Sequence, residues 1–130
     1  EQEKLLPHFF ITLPTAQGAK LIGSIGLARD LEHVELGYWI ARDWWGQGFA
    51  TEAVRAVLRL ATALGHRRLI AGHFADNPAS GRVLAKTGFK PTGERGIRFS
   101  QGRGATAPSL GYAIELGPNC DMANELVCVA

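Results

Sequence analysis

Residues Glu35–Val54, ELGYWIARDWWGQGFATEAV, hold the transition that decides the fold. Val34, Leu36, Tyr38 and Ile40 alternate with Glu35, Gly37 and Trp39, so the two sets lie on opposite faces of an extended segment. Two tryptophans follow, then Gly46-Gln47-Gly48, and a different period begins. Ala50, Ala53, Val54, Val57, Leu58, Ala61 and Leu64 recur at three and four residues. That stripe predicts an amphipathic helix from Gly48 to about Leu64, with Gly65 placed to cap its end. A strand therefore passes through a glycine loop almost directly into a helix.

Outward from this stretch the elements read in both directions. HFFITLP (His8–Pro14) is strand-like, and AKLIGSIGLARD (Ala19–Asp30) is a second strand whose Gly23 and Gly26 suggest a bulge or close packing. A short turn at Asp30–His33 favours an antiparallel hairpin with the third strand, His33–Ala41. Beyond the helix, RRLIAGHFA (Arg67–Ala75) is a buried type of strand. Asn77 then stands as an N-cap with Pro78 at the first helical position, and Gly88 closes the short helix. Gly93–Ser100 and Ser109–Leu116 read as two further strands around a Gly-rich turn. The order is β-β-β-α-β-α-β-β: an α+β, or mixed α/β layer, arrangement with a mainly antiparallel sheet and one parallel crossover around the long helix. We expect a single domain over 1–130, with its core at about 8–116 and a tail at 117–130 that shows no pattern.

Composition narrows the function classes. A chain of 130 residues with 46% apolar and 20% charged residues can bury a core without staples. No apolar run approaches the roughly 20 residues of a membrane span. The opening EQEKLLPHFF lacks the apolar core of a secretory leader, so the expected compartment is the cytoplasm and no membrane partner is expected. A net charge of +2 does not argue for nucleic acid. The basic run His66-Arg67-Arg68 reads as a helix end meeting water. Cys120 and Cys128 lack close His partners, and the four His show no ligand spacing, so no metal is expected.

Three readings compete for the glycine loop. A dinucleotide turn fits Gly46-x-Gly48, but Thr51 stands where its third glycine belongs, and Leu64-Gly65-His66 occupy the region of the ribose-binding acid. A tight strand-to-helix turn without a ligand fits as well. In the third reading both helices matter: two parallel strands, each ending in a helix N-terminus, make a crevice at their carboxyl ends that suits a phosphate or pyrophosphate.

YWIARDWWGQGFATEA together with NPASGRVLAKTGFKPTGE resembles the GNAT superfamily of acetyl-CoA-dependent N-acetyltransferases, and more narrowly its RimJ/RimL branch, over about His8–Leu116. The family loop Gln/Arg-x-x-Gly-x-Gly/Ala falls on Trp45-Gly46-Gln47-Gly48-Phe49-Ala50, with Trp in the first place. The family's Asn falls on Asn77, completed by Ser80, and the Gly-Phe after the second helix on Gly88-Phe89. Where many relatives carry an acidic Tyr, this chain has Leu84.

The resemblance implies a mechanism, residue by residue. Backbone groups of Tyr38, Trp39 and Ile40 would pair with the pantetheine arm of acetyl-CoA. N–H groups of Gly46, Gln47, Gly48, Phe49, Ala50 and Thr51 would receive the pyrophosphate, and Asn77 and Ser80 would line the thioester end. A primary amine, on a protein N-terminus or a small molecule, would then attack the acetyl carbonyl directly. Glu35 is the candidate base or else a solvated edge carboxylate, and Ser80 the substitute hydroxyl beside the departing thiolate. Trp39, Trp44 and Trp45 either wall the acceptor cleft or pack. The family's opening strand and helix pair find no counterpart before His8, which would leave an open edge and face; a homodimer or strand exchange is one way to cover it, and poor solubility the other outcome. The alternative function is a non-catalytic CoA-binding or regulatory module of the same fold.

Overall fold

The computed structural model describes residues 4–100 and 102–117; Cys120, Cys128 and all but the first residue of the expected tail lie outside them. Six strands form one sheet: β1 (His8–Thr15), β2 (Gly18–Asp30), β3 (His33–Ile40), β4 (Arg68–Phe74), β5 (Lys90–Ser100) and β6 (Ala105–Glu115). Two helices interrupt them, α1 (Phe49–Ala63) and α2 (Pro78–Lys86), and a single 3-10 turn covers Arg42–Trp44. Across the sheet the order is β1-β2-β3-β4-β6-β5. Neighbours run antiparallel except β3 and β4, which are parallel and connected through α1. The expected element order and the parallel crossover both hold.

The alternation read in β3 decides which face is covered. Val34 and Leu36 join Ile25 and Leu27 of β2 in a cluster with Val54, Val57, Leu58 and Ala61 of α1 and Leu84 of α2. Both helices therefore lie on this face. Glu35, Gly37 and Trp39 point to the other face, aligned with Ala28, Gly26 and Ser24 of β2. Phe10 pairs with Ser24 in the same row and is 76% exposed.

Close packing and a bulge both occur in β2. A Cβ at Gly23 would stand 2.2 Å from the carbonyl oxygen of Trp39, a backbone atom that cannot step aside. The β1–β2 register shifts beside it, between Ile11 and Thr12.

Three expectations need correction. Strand β5 begins at Lys90 rather than Gly93, because Gly93 (φ +84°) lies within the register shift between Pro91 and Arg95 instead of marking a boundary. Strand β6 begins at Ala105 rather than Ser109. Pro108 is tolerated within it because the β4 ladder ends at the Phe74–Ser109 pair, so its missing N–H is not required on that side. Finally, His66 does not meet water. It is buried, and its Nε2 lies 2.7 Å from the Leu5 carbonyl oxygen, tying down the segment before β1.

Candidate active site

Two left-handed glycines build the loop into α1. Gly46 has φ +75° and Gly48, the N-cap, +85°. Such backbone costs an L side chain roughly 1–2 kcal/mol, so the turn selects glycine with or without a ligand. A Cβ at either position would meet no atom within 4 Å, which leaves the space before the loop open. Among the described residues no side chain caps α1, so its first-turn N–H groups lack the acceptor that most helix starts carry.

A cavity of about 420 Å³ lies against this loop. Strand β3 contributes Tyr38, Trp39 and Ile40 to its wall, the loop and α1 contribute Trp44, Trp45, Gly46 and Gly48 to Thr51, and α2 contributes Asn77 and Ser80. The charged residues of the wall, Arg82 and Lys86, are both cationic. With the positive end of the α1 dipole they favour an anion. Neither cation was read as a site residue from the sequence, although both fall at helical spacing after Pro78. Gln47 is absent from the wall; its side-chain amide turns back toward the Asp43 carbonyl at 3.4 Å. Trp45 donates its indole N–H to the Ile40 carbonyl, and Trp44 meets Phe49 edge-on with ring centroids 6.2 Å apart. The two tryptophans brace the loop as well as line the cavity.

The wall of this cavity includes β3 but no residue of β4, whereas Leu36, Gly37 and Tyr38 of β3 and Ala71 and Gly72 of β4 line a neighbouring one. Strands β3 and β4 align at one residue pair, Glu35–Ile70, with no further pair beyond it. Tyr38, Trp39 and Ile40 pair with Ile25, Ser24 and Gly23 of β2 on one side. On the other side they have no partner strand and border the cavity.

Helix α2 delivers a hydroxyl to this gap. Asn77 Oδ1 accepts from the Ser80 N–H at 3.4 Å, and the Ser80 hydroxyl lies 2.8 Å from the Tyr38 phenol. Burial pushes the Tyr38 phenol above its ordinary value, opposed by the hydrogen bond to Ser80, so the phenol keeps its proton at neutral pH. The phenol was not read as a functional group from the sequence, which used only the backbone of Tyr38. Leu84 is fully buried in the core and takes no part in the site.

Glu35 occupies a second cavity of about 340 Å³ on the opposite side of the gap, which shares Tyr38, Trp39 and Ser80 with the first. There Arg98 of β5 pairs with it, Nη2 to Oε2, at 2.7 Å. Thus the expected residues divide between two adjoining chambers, the loop residues on one side and Glu35 on the other, with Tyr38 and Ser80 between.

Residues 2–90 match the family described as the Acetyltransferase (GNAT) domain. The chain belongs to that family. Among curated proteins, this GNAT chain is 42% identical over 78 residues to YoaA of Bacillus subtilis (strain 168), described as an uncharacterised N-acetyltransferase, covering 57% of this chain and 44% of YoaA. It is 37% identical over 59 residues to the ribosomal protein uS5-alanine N-acetyltransferase of Escherichia coli (strain K12), covering 45% and 30% respectively. The matches thus span less than half of the length of these relatives. Among solved structures, a variant of the SpeG spermidine N-acetyltransferase of Vibrio cholerae superposes with a TM-score of 0.66 at 21% identity, over 85% of this chain and 65% of that one. At that identity the likeness extends to the fold alone. Among the described residues, no helix is long and apolar enough to cross a membrane, and no group of three metal-ligating side chains occurs.

Proposed function

We propose that this GNAT domain transfers an acetyl group from acetyl-CoA to a primary amine, in the manner of the RimJ/RimL branch. The observation that carries the proposal is the uncapped, glycine-led start of α1, which opens on a cationic cavity bordered by Tyr38–Ile40 of β3 past the last pair with β4. This arrangement fits a ligand with a polyanionic end and a narrow amide-bearing arm. First-turn N–H groups from Gly48 to Thr51 would take the pyrophosphate with Arg82 and Lys86 nearby. The edge at Tyr38–Ile40, apart from the Ile40 carbonyl that Trp45 occupies, would pair with the amides of the arm, and the thioester would come to rest at Ser80.

Bound there, acetyl-CoA supplies an activated acyl group. The amine nitrogen forms a bond to the acetyl carbon as the carbon–sulfur bond breaks; the nitrogen gives up a proton and the sulfur gains one. Positioning and aimed donors account for most of the rate such a site can supply. The Ser80 hydroxyl, with the protonated Tyr38 phenol behind it, is the donor available to the departing sulfur. That arrangement would stand in for the acidic Tyr that many relatives carry at the Leu84 position of the same helix, with Tyr38 added from β3. A free ammonium entering the second chamber would meet Glu35.

The rival reading, a module that binds CoA without turnover, is favoured by the pairing of Glu35 with Arg98, which occupies the candidate base. Two measurements separate the readings. Calorimetric titration of acetyl-CoA should give saturable binding to the parent protein and about 100-fold weaker binding to Ala50→Glu. A glutamate in the first turn suits the helix dipole and preserves folding, yet opposes a phosphate. Thiol release in the presence of amines then decides for the enzyme. Absence of binding to folded parent protein would remove both readings.

A further inference from the structure

The second chamber holds a charge arrangement that the acetyl-donor site does not use. Glu35 sits on β3 and Arg98 on β5, two strands that are not neighbours: β4 and β6 lie between them in the sheet. The guanidinium reaches back over that gap to the carboxylate at 2.7 Å. Its route is kept low by Gly72, where a Cβ would stand 4.0 Å from the guanidinium carbon and 3.2 Å from the Leu110 carbonyl oxygen. Gly37, beside Glu35 on the same wall, presents no side chain and has open space before it. The Glu35 side chain is 18% exposed and that of Arg98 47%, so the pair is accessible from the guanidinium side. Ser24, Ser80 and the Tyr38 phenol supply further polar groups.

We propose that Glu35 and Arg98 form the acceptor seat for a zwitterion, an α-amino acid whose ammonium binds Glu35 and whose carboxylate binds Arg98. This rests on the N-acetyltransferase reading and names its substrate class. The one carboxylate and the one guanidinium of the chamber wall cancel, and His8 and Tyr38 are the remaining titratable side chains on it. A polyamine needs an excess of acid and would meet the like charge of Arg98. An amine on a peptide N-terminus has no carboxylate beside it and would leave the guanidinium unanswered once Glu35 turned to the ammonium. A free amino acid divides the pair and replaces one ion pair with two charge-assisted contacts, the planar guanidinium fork matching a carboxylate. The volume of about 340 Å³ suits a small ligand. Ser80 and Tyr38, shared by the two chambers, mark the side on which the amino group meets the acyl carbon.

The test is an acetylation assay on the purified protein with acetyl-CoA, read by thiol release and product mass. Its acceptors are the L-α-amino acids, their carboxamides, and spermidine. Free acids should exceed their carboxamides by about ten- to a hundredfold in kcat/KM, the worth of one charge-assisted carboxylate contact. Arg98→Gln should raise KM for the free acids with kcat little changed, and bring that ratio close to one. A mere brace between β3 and β5 would lower both series alike, so parallel losses in Arg98→Gln would overturn the inference. So would spermidine or carboxamides used as well as the free acids. Calorimetry on the same samples distinguishes the two levels of failure. If acetyl-CoA binds while no free amino acid is acetylated by the protein or bound by its CoA complex, the acceptor inference alone falls. If acetyl-CoA does not bind, the acetyltransferase reading falls and the inference with it.

Discussion

The two helices of this protein begin in opposite ways on the wall of one cavity. Helix α1 starts from a left-handed glycine with no side-chain cap; α2 starts from Asn77, whose side chain accepts from the Ser80 N–H, with Pro78 at the first position. A capped start answers its orphan donors with its own chain. An uncapped one leaves them for solvent or for a ligand. Both helix ends read as candidate anion seats when the sequence is taken alone; in the function proposed above α1 takes that part and α2 a different one. The contribution of α2 is the Ser80 hydroxyl and two cations further along the helix.

Substitutions at four positions would break or sharpen this contrast. The largest effect belongs to Leu84→Ala, which empties the fully buried anchor of α2. Stability should fall by about 2–5 kcal/mol in urea unfolding; a small loss would mean that α2 is held mainly by its cap. Gly48→Ala forces a methyl into left-handed backbone and should cost about 1–2 kcal/mol, with weaker acetyl-CoA binding. Unchanged stability together with lost binding would show that the glycine serves the ligand rather than the turn. Asn77→Ala should cost about 1 kcal/mol in the same unfolding measurement, recovered in large part by Asn77→Asp. If acetyl-CoA affinity falls further in Asn77→Ala than in Ala50→Glu, the assignment of the seat to α1 is wrong.

The smallest effect is expected from Tyr38→Phe, about 0.5–1.5 kcal/mol for the hydrogen bond to Ser80. It carries a pH signature. Because the folded phenol titrates above its unfolded value, folding retains a proton that the unfolded chain has lost in alkali. Stability linked to Tyr38 is therefore complete below the ordinary phenol range and disappears as pH rises through the raised value. Parent and variant should converge in stability over that alkaline interval, and a constant gap would count against a buried phenol at this site.

Much of the fold was legible because its signals are local. The period-two pattern of β3, the stripe of α1, the Asn77-Pro78 start and the Gly65 and Gly88 stops each act within a few residues, and all appear where they were read. Misreadings arose where a local breaker had a tertiary explanation. Gly93 and Pro108 looked like strand limits, yet one sits in a register shift and the other beyond the last pair with β4. His66 looked like a surface cation and instead accompanies the Leu5 carbonyl.

The sequence by itself determined the element order, the division of β3 into two faces, the glycine loop and the family resemblance, since periodicity and capping are short-range properties of a chain. The tertiary structure alone decided that β6 lies between β4 and β5, that β3 and β4 have no pair beyond Glu35–Ile70, and that Arg98 reaches Glu35. It also brought the Tyr38 phenol to Ser80, 42 residues away in the chain. Contacts of that kind depend on how strands order and twist in a sheet, and no local pattern in the sequence encodes which distant side chains will share a chamber.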